Sequence, residues 1–152
     1  MPRIYTDILK HGEITDRILK CFYEVYNELG DGFLESVYEN AISIALKNEG
    51  LLFERQRGIP VYFRGIVVGN FTADIIVENK IVLELKAIQR LDKVHEAQLI
   101  NYLKATRIEI GFLLNFGVKP EFKRIIFNDK RKSQQSAGIS GREKEKTCSS
   151  PK

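Results

Sequence analysis

The hydrophobic period of the sequence changes at Phe53, and this change restricts the fold more than any other feature of the chain. Before it, apolar residues recur at helical spacing. After it come short runs rich in β-branched and aromatic residues, separated by turn residues. Helices followed by strands indicate an α+β or mixed α/β domain, and 152 residues are enough for one such domain.

Two amphipathic helices are expected before Phe53. The first spans residues 15–29, with Thr15 as its N-cap and Gly30 as the residue that ends it. The second runs from about residue 34 to residue 48 and ends before Gly50. A short glycine turn joins them, so we expect the two helices to pack against each other.

Several strands are expected after Phe53, and turn residues separate them. The predicted strands are 59–63, 66–68, 71–77 and 81–87, with turns at 64–65, 69–70 and 78–80. A helix over 94–106, a buried strand over 110–115 and a short strand over 124–127 complete the predicted order.

The positive charge of the chain is concentrated at its C-terminal end. Seven of the 24 Lys and Arg residues and three of the 20 Asp and Glu residues lie in 128–152, so residues 1–127 carry 17 charges of each sign. The pI near 9.0 therefore does not indicate that the folded part binds polyanions. Residues 128–152 are too polar to offset their ordering entropy, and we expect them to be disordered. The domain is expected over residues 1–127.

The cysteines and the apolar runs bear on location. Cys21 is expected to be a core residue of the first helix, whereas Cys148 lies in the polar tail, and their spacing indicates neither a disulfide framework nor a zinc site. No signal-peptide pattern is present, and no apolar run approaches the roughly 18–20 residues that cross a bilayer. A reduced, cytoplasmic location without a membrane partner is the default expectation.

Two acidic residues are expected to meet across the turn at 78–80. A three-residue loop pairs Val77 with Ile81, and this register places Asp74 directly opposite Glu84. A two-residue loop would pair Asp74 with Leu85 and mix the apolar and polar faces. The hydrophobic pattern therefore favours the three-residue loop.

Strand alternation assigns the hairpin side chains to two faces. Ala73 and Ile75 are expected on one face, and Asp74 on the other. On the next strand, Glu84 and Lys86 share the face of Asp74.

Opposed carboxylates repel each other, and Asp is a poor strand former, so this arrangement favours a bound cation. Lys86 would neutralise the acids in part, and a hard divalent ion held by carboxylate oxygens would do so more completely. A solvated face with a surface Glu–Lys pair is the alternative. Ile76, Val82 and Ile88 make the face more aliphatic than a solvated one, which favours the metal site.

These residues form two motifs that resemble a known nuclease group. Asp74, nine intervening residues and then Glu84-Leu-Lys86 resemble the core signature of the PD-(D/E)XK nuclease superfamily, with Ala73 where the signature has proline. The segment Gly32-Phe-Leu-Glu-Ser-Val-Tyr38 is similar to the motif that names the GxxExxY family within it. The resemblance extends from about residue 14 to residue 127, and includes 98–102 and 115–117. It implies a restriction-endonuclease-like mixed central sheet flanked by helices.

The resemblance implies roles for the matching residues. Asp74 and Glu84 would bind Mg²⁺, with Mn²⁺ as a substitute, and Lys86 would position or activate the attacking water. Glu35 would add a contact to the metal or to water. On the helix after the lysine strand, the residues that would hold the site or the substrate backbone are Gln98 and Tyr102.

Each supporting residue also has a structural alternative. Glu35 near a helix N-terminus is favourable for the helix dipole, and Gly32 serves a turn. Tyr38 is expected to be a packing residue whose hydroxyl is bonded nearby. Tyr102 is a core residue in this alternative, with Gln98 as its hydrogen-bond partner because the two lie four residues apart on one helix face.

The resemblance leaves several functions open. The first is a Mg²⁺-dependent nuclease that acts on nucleic acid, with DNA favoured over RNA. The second is a catalytically silent nucleic-acid-binding or assembly module that keeps the nuclease fold. A homodimer that builds its substrate groove from two subunits is a third possibility. Although residues 1–127 are neutral overall, a local basic patch is possible around Arg55, Arg57, Arg64, Lys86 and Lys104.

Overall fold

The computed structural model describes residues 3–128, with side chains from residue 11 onward. Three helices and five strands follow one another, and a 3-10 turn precedes the third helix. The elements are α1 (Arg3–Leu29), α2 (Glu35–Asn48), β1 (Phe53–Phe63), β2 (Ile66–Val77), β3 (Ile81–Lys86), the 3-10 turn (Lys93–His95), α3 (Glu96–Ala105), β4 (Ile110–Phe116) and β5 (Pro120–Ile126). The predicted tail and Cys148 lie outside the described residues, except for Asn128.

The strands form one mixed sheet in the order β1-β2-β3-β4-β5. Only β3 and β4 run parallel, and α3 lies in the connection between them. Every residue of β4 and all but the last residue of β3 are buried, as expected for central strands covered on both faces. The mixed sheet flanked by helices in a single domain confirms the predicted fold class.

Apolar residues form two clusters, and the sheet contributes to both. The first joins α1 and α2 to the sheet and includes Phe22, Tyr38 and Leu83. The predicted packing between α1 and α2 is therefore confirmed. The second cluster joins α3 to the sheet and includes Val82 and Leu103. Cys21 is fully buried in the first cluster, as expected, and burial raises the pKa of its thiol to about 11.

The predicted start of the first helix is wrong. The helix begins at Arg3, and Thr15 lies in its interior, where the hydroxyl donates to the carbonyl of Gly12 at 2.9 Å. A hydroxyl that bonds the preceding turn of a helix can occupy such a position without acting as a cap. The predicted end is confirmed, because Gly30 has φ +70° and donates its N–H to the carbonyl of Tyr26.

The predicted turn at Gly69 and Asn70 is also wrong. Strand β2 continues through both residues, which pair with Val61 and Pro60 of β1. The pairing register shifts next to Val61, so that Val68 has no partner opposite it. Glycine inside a strand often marks such a bulge. Strands β1 and β5 are likewise longer than predicted, and α3 is preceded by a 3-10 turn.

Candidate metal and nuclease site

The hairpin of β2 and β3 has the predicted register. Val77 pairs with Ile81 around the three-residue turn, and two further pairs follow, the last of which joins Ile75 to Leu83. The ladder ends there. Asp74 and Glu84 therefore come next in register, but no ladder pair joins their main chains.

Beyond the last ladder pair, the side chains of the two acids accept main-chain N–H groups of the opposite strand. The N–H of Leu85 donates to Oδ2 of Asp74 at 2.8 Å, and the N–H of Asp74 donates to Oε1 of Glu84 at 3.3 Å. Each carboxylate thus accepts a hydrogen bond from the opposite strand. This exchange holds the two acids together at the point where the strands stop pairing.

The predicted alternation of faces fails at Asp74. Ala73 lies in the second apolar cluster, whereas Ile75 lies in the first, so the two do not share a face. Opposite Asp74, the β1 residue Gln56 has φ +50°, between the regular pairs on either side of it. The left-handed residue on β1 and the change of faces on β2 therefore coincide, while the register of the β1–β2 pairs stays the same on both sides of them.

Gln56 connects Asp74 to helix α2. Its Nε2 atom donates to Oε1 of Glu39 at 2.8 Å and to Oδ1 of Asp74 at a long 3.4 Å. The sequence analysis missed both Gln56 and Glu39. A signal for Glu39 existed, because it lies four residues after Glu35 and therefore on the same helix face. Nothing in the sequence indicates that Gln56 takes a left-handed conformation.

Burial raises the pKa of both acids. For Glu84, which is 4% exposed, burial and the nearby charge of Asp74 raise the pKa to about 8. For Asp74, burial and the charges of Glu39 and Glu35 raise the pKa, while the hydrogen bond from Leu85 lowers it. Among residues 11–128, no Lys or Arg forms an ion pair with either acid.

Lys86 ends β3 and is half-buried. It pairs in parallel register with Asn115 of β4, which is fully buried and accepts the N–H of Ile88 at 3.0 Å while it donates to the carbonyl of the same residue at 3.0 Å. A Cβ atom at Gly117 would overlap the carbonyl oxygen of Ile88. The 115–117 segment therefore fixes the chain just beyond the lysine.

The residues of the GxxExxY-like segment hold the loop before α2. Gly32 has φ +105°, which favours glycine. Tyr38 is fully buried, its hydroxyl donates to the carbonyl of Gly30 at 2.6 Å, and its ring stacks on Phe116 with centroids 4.2 Å apart. Glu35 is the exposed first residue of α2. Its charge makes a small contribution to the raised pKa of both Asp74 and Glu84.

The two α3 residues are placed differently from each other. Tyr102 is 2% exposed, and its hydroxyl has no hydrogen-bond partner among the described residues. Gln98 is exposed, so the predicted bond between them is not formed. Burial raises the pKa of Tyr102, the charge of Arg57 lowers it, and the charges of Glu54 and Glu84 raise it.

The predicted basic patch is largely neutralised. Arg55 pairs with Glu39 at 3.0 Å, and Arg57 lies 3.6 Å from Glu54. Arg64 lies at the far end of the β1–β2 hairpin. The described residues contain no group of three or more His, Cys, Asp and Glu side chains placed to hold a metal ion. The candidate metal ligands are thus the two hairpin acids alone.

Comparison with known proteins gives a family and two structural likenesses. The sequence model that describes the PD-(D/E)XK nuclease superfamily matches residues 12–125 of this chain. The crystal structure of SSO0001 is similar with a TM-score of 0.49 and 22% identity, over 70% of this chain and 58% of that one. The alkaline exonuclease LHK-Exo from Laribacter hongkongensis is similar with a TM-score of 0.40 and 13% identity, over 74% of this chain and 66% of that one. A search of curated proteins found no match.

No helix within residues 3–128 is long and apolar enough to span a membrane.

The family match runs from α1 into β5 and includes both hairpin acids and Lys86. It does not distinguish the GxxExxY family from others in the group, so that narrower membership stays a prediction. Because the match covers most of the sequence, the chain belongs to the PD-(D/E)XK nuclease superfamily.

Proposed function

We propose that the protein is a Mg²⁺-dependent nuclease that hydrolyses phosphodiester bonds of nucleic acid, and of DNA in preference to RNA. The convergence of Asp74 and Glu84 where β2 and β3 stop pairing carries this proposal. Glu84 is buried, Asp74 is half-buried, and both have a raised pKa. Such a pair is stabilised by a cation, and among the described residues no Lys or Arg forms an ion pair with it.

The two acids fit a magnesium ion. Carboxylate oxygens are suitable Mg²⁺ ligands, and Mg²⁺ commonly keeps several waters while it binds one or two carboxylates and a substrate phosphate. A third acidic ligand is therefore unnecessary. When bound, the ion would stabilise charge on the phosphoryl oxygens and lower the pKa of a water molecule.

Lys86 is the residue that we assign to the attacking water or to the charge of the transition state. It follows Glu84 by two residues on β3, and its charge lowers the pKa of that acid, so the two lie close together. An ammonium is a compact point charge that suits this role. The two hydrogen bonds between the Asn115 side chain and the main chain of Ile88 would keep the end of β3 in place during the reaction.

The remaining site residues have supporting roles in the proposal. Glu35 would contact the metal through water, because its charge reaches both acids from the start of α2. The unbonded hydroxyl of Tyr102 would hold a water or a substrate oxygen. Gln98, exposed on the same helix, would contact the substrate backbone.

Cleavage by the purified full chain tests the proposal. Single-stranded, duplex and branched DNA, with matching RNA, would be incubated with Mg²⁺ or Mn²⁺. We expect Asp74→Ala and Lys86→Ala to lower the rate about 100-fold or more, as losses of charge-stabilising groups do. Lys47→Ala, which removes an exposed lysine of α2, should cleave like the wild type.

Equal trace cleavage by all four proteins would contradict catalysis and favour the silent nucleic-acid-binding or assembly module. Calorimetric titration with Mn²⁺ separates the metal from the chemistry. The wild type and the Lys86→Ala protein should bind the ion, whereas Asp74→Ala and Glu84→Ala should not. Binding that survives loss of either acid would contradict the assigned ligands.

A further inference from the structure

The β1–β2 hairpin extends well beyond the rest of the sheet. Strand β3 pairs with β2 only from Ile75 to Val77. Residues 58–72 therefore form a two-stranded arm, paired from Gly58 with Thr72 to Phe63 with Ile66. We call residues 62–68 the tip of this arm.

The tip exposes large apolar side chains on both strands. Tyr62, Phe63, Ile66 and Val68 are 61%, 58%, 67% and 61% exposed. Several large exposed apolar side chains grouped within a few residues of a folded domain commonly mark an interaction site. Because the side chains lie at the end of an arm, burial in the domain's own core does not explain them.

The turn at the tip contains an arginine in an unusual conformation. Arg64 has φ +53° and Gly65 has φ +81°, and two such residues in succession ordinarily favour Asn, Asp or Gly at the first position. The guanidinium of Arg64 lies over the Phe63 ring, 4.8 Å from its centroid. Residues 58–72 contain no Asp or Glu. The conformation of the turn therefore does not explain why its first position is an arginine.

We propose that the tip contacts the nucleic-acid substrate, with Tyr62 and Phe63 stacking on unpaired bases and Arg64 on a phosphate. This proposal rests on the proposed function. Aromatic rings beside an arginine, without acidic neighbours, match bases and phosphates. Residues 1–127 have no net positive charge, so stacking would supply affinity that general electrostatic attraction does not.

A second copy of the chain matches the tip less well. In a symmetric contact the same patch faces itself. Two Arg64 side chains would then approach each other, and the acid-free arm would offer them no counter-charge. The charge on the tip therefore favours a polyanion.

The arm also sets a distance. Strand β2 leads from Ile66 to Asp74 in eight residues, which is about 26 Å at roughly 3.3 Å per residue. A duplex rises about 3.4 Å per nucleotide along each strand, and a single strand is more extended, so fewer than about eight unpaired nucleotides span this distance. Only a substrate that extends this far from the cleaved bond can contact both the acids and the tip.

Binding to a labelled single-stranded DNA of about 20 nucleotides, measured by fluorescence anisotropy in EDTA, tests the tip without cleavage. We expect Tyr62→Ala and Phe63→Ala to weaken binding about tenfold each. Arg64→Asn should also weaken it, although asparagine suits the turn and should preserve folding. Ile44→Ala, which truncates a 64% exposed residue of α2, should bind like the wild type.

Wild-type affinity in the tip variants, or no affinity in the wild type, would overturn the proposal. So would a Phe63→Ala protein that changes a dimer into a monomer, by light scattering, while its DNA affinity stays the same. In the Lys86→Ala protein, the tip substitutions should weaken DNA binding by the same factor as in the wild type. A failure of the binding test can therefore be distinguished from a failure of the cleavage test. With Mg²⁺, tip variants should cleave a substrate of about two nucleotides at the wild-type rate, because it is too short to reach the tip.

Discussion

Leu85 donates its main-chain N–H to Oδ2 of Asp74 at 2.8 Å, so that a side chain takes the place of a strand carbonyl. Asp74 is therefore both a candidate metal ligand and a part of the sheet's hydrogen bonding. The two roles respond differently to substitution, because hydrogen bonding needs only an acceptor oxygen, whereas a divalent cation binds a negatively charged carboxylate more strongly than a neutral amide.

We expect Asp74→Asn and Asp74→Ala to be equally inactive but unequally stable. The asparagine oxygen can still accept the N–H of Leu85, whereas alanine leaves that buried donor without its partner. The alanine protein should be less stable than the asparagine protein by about 1–2 kcal/mol in urea unfolding. Equal stabilities would show that this bond contributes nothing, and wild-type cleavage by Asp74→Asn would contradict the metal role.

The stability of the metal-free protein should depend on pH through Glu84. Its pKa is raised from 4.5 to about 8, so the folded chain holds this proton more tightly than the unfolded chain. The resulting stabilisation is fully present below about pH 4.5 and is lost as the pH rises through about 8. Its size should be on the order of 5 kcal/mol.

Comparison with Glu84→Gln isolates this contribution. Urea unfolding in EDTA between about pH 5 and pH 9 should show a fall in the free energy of unfolding for the wild type. The glutamine protein should lack that component of the fall. If both proteins show the same pH dependence, the acid does not titrate as described.

Two buried tyrosines form a matched pair of substitutions. Tyr38→Phe removes a hydroxyl that bonds the carbonyl of Gly30 and should cost about 1–2 kcal/mol of stability. Tyr102→Phe removes a hydroxyl without a partner among the described residues and should leave stability unchanged or slightly increased. Thermal unfolding measures both. A loss of cleavage in a fully stable Tyr102→Phe protein would then assign the phenol to the reaction, and a large loss of stability would contradict its unbonded state.

Gln56 offers a test of its link to Asp74. Gln56→Gly and Gln56→Ala both remove the amide, but glycine also suits φ +50°. We therefore expect the glycine protein to be more stable than the alanine protein by about 1 kcal/mol. Cleavage should fall by a similar factor, about tenfold, in both. Unchanged kcat in the two proteins would show that the amide does not orient the acid.

Local patterns in the sequence predict the parts of the site that depend on neighbouring residues. The three-residue loop after Val77 follows from keeping apolar residues on one face, and with it the approach of Asp74 and Glu84. The turn at Gly30 follows from a glycine at the end of an amphipathic stretch. These features need only pairings between residues close in the chain.

The features that could not be predicted depend on distant parts of the chain. The shift of faces at Asp74 accompanies a left-handed residue on β1, and no turn residue marks that position. Strand pairing across the arm overrides the turn preference of Gly69. Gln98 lies at the right spacing to bond Tyr102, but the packing of α3 buries one and exposes the other.

The exchange of hydrogen bonds between β2 and β3 also bears on the order in which the protein folds. Asp74 and Glu84 are ten residues apart, so they meet as soon as the hairpin closes. Lys86 is the register partner of Asn115, which comes 29 residues later in the chain, and this pairing must wait for the slower parallel pairing of β3 with β4. We therefore expect the two acids to come together before β4 fixes the end of β3. Under the proposed function, a folding chain would then acquire its metal ligands before its lysine is in place.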